Sequence, residues 1–345
     1  MKKIFALMVL IISFALPTLG QTNSASRHVD AHVKPFADLF FFVVSLPPGS
    51  EKMPKIDGFA QAVEAARPIQ DTFRLGIGPL LQTLGAVSAA ALPCERAAEA
   101  VPAFAQLPET VSLPNGETLR LRETAVKLAQ ALAVIEEPFL QKVWPQHKAA
   151  LDQAAAKLAK TFSPKESACF AYLAKSLGLE TPRERVPLYL VVEAPRPGGF
   201  TFRLRNQQAV CIISTEANQD SQLFEVVLHE STHALDLETS GQKNVLAELR
   251  ARLLKAGLSE SDPDFRNVPH TLMFIQAAET IRRIVDPVHK HYGETKGYYA
   301  RVPLASKVEL PIWLAHLDGK ISREEAINQI ITEFLKARKE AGVPK

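Results

Sequence analysis

His229, Glu230 and His233 stand in the run His-Glu-Ser-Thr-His. On a helix, residues four apart point about 40° from each other, so both imidazoles share one face on successive turns. Two such rings can hold one Zn²⁺ at ~2.0–2.1 Å from a nitrogen of each. Glu230 follows the first ring and can reach a water on the metal without ligating it. The chemistry this implies is hydrolysis. The metal acidifies a water and polarises a carbonyl, while Glu230, as general base, carries the proton to the leaving amine.

A catalytic zinc needs a third protein ligand. Glu279 is the first choice. Ala277 and Ala278 beside it let its helix come close to another, and Arg283, one turn on, would orient the carboxylate. His270, at the expected start of the same helix, is the competitor. Asp236, Glu238, His289 and His291 are weaker choices and read mostly as surface groups. For a donor to the oxyanion, Tyr292 ranks first, ahead of Tyr298, Tyr299 and His270.

The elements that must position these groups follow from apolar spacing. No Gly or Pro interrupts Ser221 to Leu237, and Leu223, Phe224, Val226, Val227 and Leu228 precede the motif, so it falls in a buriable helix. Three strands are expected before it: 187–193, 200–204 and 209–214. A helix begins near Pro269 and ends before Pro287. Ser322 and Glu325 form a capping box for a C-terminal helix that buries Ile327, Ile330, Ile331 and Phe334. Upstream, the Ala-rich chain reads as helical. Ser163-Pro164-Lys165-Glu166 is expected to start a fresh helix, the stretch 148–160 is a packed helix, and Asn115-Gly116 turns a small hairpin between 111 and 121.

The residues around the motif resemble the zincin metallopeptidases. Narrowly, they are similar to the gluzincins, the thermolysin-like branch, in which a Glu on a later helix completes the site. The resemblance implies His229, His233 and Glu279 as ligands. It also implies an extended peptide substrate lying along an edge strand beside the motif helix, here 209–214. The run from His270 through Phe274 to Glu279, with Tyr292 and Gly297-Tyr298-Tyr299, is similar to a loose group of secreted bacterial proteins carrying the same motif. One departure stands out: Ala278-Glu279-Thr280-Ile281-Arg282-Arg283 replaces the Asn-Glu-x-x-Ser-Asp of thermolysin. The Gly-Thr-x-Asp of aspzincins and the downstream Gly and His of metzincins are absent.

A chain of 345 residues, 47% hydrophobic, can bury the cores of two domains. The expected division is a signal peptide at 1–20, a helical N-terminal region at 21–183 and a zincin-like catalytic domain at 184–345. The fold class is α+β. Lys2 and Lys3 lead an apolar run from Ile4 to Leu16, too short to span a bilayer, and Thr18 and Gly20 suit cleavage before Gln21. The expected location is therefore secreted or periplasmic, with no membrane span after removal. The formal charge of +3 includes those two lysines, so no nucleic-acid partner is indicated. Of the three cysteines, Cys211 reads as core, and Cys94 with Cys169 is the pair open to a disulfide. The function expected is an exported zinc metallopeptidase acting on peptides or proteins. The alternatives are a zinc hydrolase of a non-peptide amide and an inactive zinc- or partner-binding protein.

Overall fold

A computed structural model describes residues 28–181, 184–195, 198–204, 206–238 and 243–342. The expected signal peptide and its cleavage site lie outside these residues. The chain is α+β: many helices around one small mixed sheet. Strand β1 (Val29–His32) is followed by helices α1 (Pro35–Ser45), α2 (Phe59–Asp71), α3 (Ile77–Ala91) and α4 (Ala97–Phe104). A hairpin of β2 (Val111–Ser112) and β3 (Thr118–Leu119) turns at Asn115-Gly116 as expected. Helices α5 (Leu121–Lys142), α6 (Trp144–Lys157) and α7 (Glu166–Leu177) complete this half.

Strands β4 (Val186–Val191), β5 (Gly199–Arg203) and β6 (Ala209–Ser214) then join β1 in the order β1-β4-β6-β5. The first three run parallel and β5 runs antiparallel to β6. The second half continues with α8 (Ser221–Glu238), α9 (Val245–Lys255), α10 (Pro263–Thr280), α11 (Tyr292–Thr295), α12 (Tyr298–Arg301), α13 (Pro303–Leu317) and α14 (Arg323–Glu340). Among the described residues, no helix is long and apolar enough to cross a membrane.

Side chains alternate along a strand, so each strand feeds two cores. Tyr189, Val191, Phe200, Phe202, Val210 and Ile212 meet the apolar faces of α1 to α5. Leu188, Leu190, Cys211 and Ile213 point the other way, to α8, α10 and the C-terminal helices. This second core also takes Leu151, Leu158, Phe162, Phe170, Leu173 and Leu177 from α6, α7 and the turn between them. A boundary at 183 therefore runs through a shared core, and the first strand of the sheet lies inside the region read as helical.

Two local expectations change. Ser163 does not cap a new helix: a π turn (158–162) and a 3-10 turn (163–165) carry α6 into α7. Glu166 instead accepts the amides of His28 and Val29, the latter at 2.7 Å, and so fixes β1. The three cysteines are buried and none is in a disulfide; Cys94 lies in one core and Cys169 in the other, so the sheet separates the pair that was open to a bridge.

Candidate metal centre

Helix α8 lies under the sheet, buried on most of its surface, and presents His229 and His233 one turn apart. The third group to meet them is His270 of α10. His229 Nε2 is 3.2 Å from His233 Nε2 and 3.2 Å from His270 Nε2. These three histidines are the described His, Cys, Asp and Glu side chains whose donor atoms come close enough together to hold a metal ion.

Neutral imidazoles cannot satisfy one another in this geometry. One Nε2 offers either a proton or a lone pair, so His229 Nε2 can serve only one neighbour well. His229 Nδ1 is also buried without a partner. A cation at the meeting point would use all three lone pairs at once. Burial removes the competing proton: it pushes His229 well below its usual range, His233 down to about 4 and His270 down to about 3. The neighbouring imidazoles and, for His233, Arg250 add to the effect. The rings are therefore held neutral, the form able to ligate a metal, rather than as cations.

His270 is oriented from behind, with its Nδ1 2.9 Å from the hydroxyl of Tyr298. Phe274, one turn on, stacks on His229 at 3.7 Å between centroids, and Tyr292 stacks on Phe274 at 5.6 Å. Glu230 is 4% exposed, and its Oε2 lies 2.7 Å from Thr201 Oγ1 on the edge strand β5. Burial raises its carboxyl to about 8 against the opposing pull of that hydrogen bond. The close approach of β5 depends on Gly199. A Cβ there would sit 2.9 Å from Val226 Cγ1 and 3.1 Å from Glu230 Oε1.

Glu279 is not part of this cluster. Nine residues separate it from His270, which is two and a half turns and the opposite side of α10. There its carboxylate is fully buried and accepts from His291 Nε2 at 2.9 Å, Arg282 at 2.7 Å and Arg283 at 3.0 Å. Burial alone would raise its pKa, but these three donors win and hold it down to about 2. Arg283 does orient the carboxylate as expected, though in an ion-pair cluster and not at a metal.

The helix itself explains the misplacement. Asp262 caps α10 and Pro263 takes its first turn, so His270 sits two turns inside rather than at the start. Asp262-Pro263 was a start signal in the sequence.

The remaining candidates scatter. Tyr292 stacks on Phe274 beside the centre, and burial raises its phenol. Tyr298 supports His270, while Tyr299 is bound to His291 at 3.1 Å. His289 and His291 are buried, not superficial: His289 lies 2.6 Å from Glu225 Oε2. Asp236 pairs with Arg250, and the side chain of Glu238 lies outside the described residues. The expected edge strand, β6, is interior, and β5 takes the edge. Thr201 and Gly199 escaped notice because neither residue type signals a site by itself. Comparison with family models, curated proteins and solved structures gave no match.

Proposed function

We propose that this protein is an exported zinc-dependent hydrolase of peptide bonds, with His229, His233 and His270 as ligands and Glu230 as general base. The convergence of three imidazole nitrogens beside a buried carboxylate carries the reading. In a tetrahedral zinc site with bonds of ~2.0–2.1 Å, neighbouring nitrogens lie roughly 3.3–3.4 Å apart, close to the 3.2 Å separations here. A bound zinc ion would acidify its water, polarise a carbonyl and favour the charged form of Glu230.

Glu230 then accepts the water's proton and returns it to the departing amine. Thr201 holds one oxygen of the Glu230 carboxylate, leaving the other for the proton. Tyr292, stacked on Phe274 beside the three histidines, is the donor to the oxyanion. Strand β5 is the edge along which an extended peptide would add, its backbone bonded as one further strand. A site of three histidines differs from the gluzincin pattern, since no ligand carboxylate offsets the metal's charge.

Glu230→Gln tests the reading. Gln fills the same space but cannot take the proton, so zinc content should stay near one per chain while hydrolysis of a peptide library falls by at least ~10²–10⁴-fold. Equal cleavage by the purified variant and the parent would falsify the mechanism.

A further inference from the structure

We propose that Ser221, His289 and Glu225 form a second nucleophilic site, independent of the metal centre, that cleaves acyl esters carrying an anionic group. Glu225 accepts from His289 Nε2 at 2.6 Å, and His289 Nδ1 lies 2.9 Å from Ser221 Oγ. The carboxylate fixes the ring with its proton on Nε2. That leaves the Nδ1 lone pair for the serine proton, the arrangement of nucleophile, base and orienting acid that activates a hydroxyl. Ser221 and Glu225 are four apart at the start of α8, so one helical turn sets their spacing. Ser221 and His289 line a cavity of about 550 Å³.

The chain of bonds does more than tether a segment. Glu225 already ties the 289–292 segment to α8 through His289 and through the Tyr292 amide at 2.8 Å. The serine adds a polarised hydroxyl beside a cavity. Burial raises the Glu225 carboxyl, but the hydrogen bonds from His289 and the Tyr292 amide oppose that rise and favour the carboxylate that keeps the ring proton on Nε2.

The cavity's charge selects the substrate. Its acids Glu216 and Asp220 are paired with Lys52, which Glu193 shares, and with Lys157, so these five groups together carry one negative charge. Lys290 and Lys296 also line it, and neither is in an ion pair among the described residues, so their two positive charges exceed the one negative charge left over. The uncompensated charge is thus positive, which suits an ester bearing a carboxylate or phosphate. In the first step Ser221 Oγ bonds to the acyl carbon and its proton passes to His289 Nδ1. The ester C–O bond then breaks, and that proton goes to the leaving alkoxide. Water attacks the acyl-serine, giving a proton to His289 and releasing the acid. The proton returns to Ser221.

The test treats the full folded chain with a fluorophosphonate probe and maps the adduct by mass spectrometry, with and without EDTA. Modification of Ser221 is expected in both conditions, at least ~10²-fold slower in His289→Gln. Hydrolysis of p-nitrophenyl hemisuccinate should exceed that of the neutral acetate ester and vanish in Ser221→Ala, while that variant keeps the parent's zinc content. An unmodified Ser221 in the folded parent protein, an adduct at another serine, or an equal rate in folded His289→Gln overturns the proposal. The parent result needs no variant, so a folding defect in His289→Gln cannot obscure it.

Discussion

Helix α10 carries two polar centres on opposite faces, and they are built on opposite principles. On one face His270 joins two other imidazoles, all held neutral, with nitrogens facing nitrogens and no counter-charge between them. On the other, Glu279 is enclosed by His291, Arg282 and Arg283, with Tyr299 behind the imidazole and Asp318 behind Arg283. The second centre is complete with what the chain supplies. The first leaves ring nitrogens that the described residues do not satisfy. A buried acid beside a histidine is thus a poor sign of a metal site until its partners are counted; unmet lone pairs are the better sign.

The largest effect should come from removing one residue from each face. His270→Ala should lose zinc by more than the ~10–100-fold typical of an outer support, with the fold retained. Glu279→Ala should bind zinc nearly normally once folded but lose stability, at the lower end of ~3–5 kcal/mol because both arginines can turn to water. Zinc titration and urea unfolding of the two variants check this. A metal-free but fully stable Glu279→Ala would erase the distinction between the faces.

Tyr298→Phe sharpens it further. Deleting the hydroxyl leaves the His270 ring in place without its 2.9 Å partner. Zinc affinity should drop ~10–100-fold, the usual cost of losing such a support. The corresponding Tyr299→Phe, on the Glu279 side, should leave zinc affinity unchanged. A chelator competition series on both proteins gives the answer.

The smallest effect concerns a third buried acid. Glu309 of α13 is fully buried, neither of its oxygens has a partner among the described residues, and burial holds its carboxyl well above the usual range. The folded state therefore keeps a proton that the unfolded state gives up from about pH 4.5 upward. Protein stability falls as pH rises through that window. Glu309→Gln removes this contribution, so its urea midpoint should depend less on pH between 5 and 8 than that of the parent. Parallel pH profiles for the two would count against a buried neutral acid.

The motif helix was legible because its signals are local: an unbroken apolar run around His229, Glu230 and His233. So were the three later strands, the hairpin at Asn115-Gly116 and the cap at Ser322, whose hydroxyl accepts the Glu325 amide at 3.1 Å. The proposed third ligand was missed because starting α10 at Pro269 instead of Pro263 placed His270 at an exposed helix end, when it lies two turns inside. Strand order was partly written in the sequence. Ala209 to Ser214 is apolar at nearly every position, as an interior strand covered on both faces should be. The shorter Gly199 to Arg203, with small residues toward Glu230, is what an edge beside a carboxylate requires. Strand β1 was not legible, because Val-Asp-Ala-His alternates over only four residues, too few to stand out. Its identity comes from pairing with β4 alone.

That pairing has a consequence for how the chain folds. Between β1 and β4 the chain passes through seven helices, so the two strands can meet only after a very long loop has closed. Such contacts come late and slowly, because the entropy of closure is spent before the contact repays it. Until then β4 has an open side, and a neighbouring chain's strand could occupy it in place of β1. Glu166 answers this hazard by gripping the amides of His28 and Val29 from α7. One carboxylate, part of neither proposed site, thus guards the unfinished protein against joining its own copies.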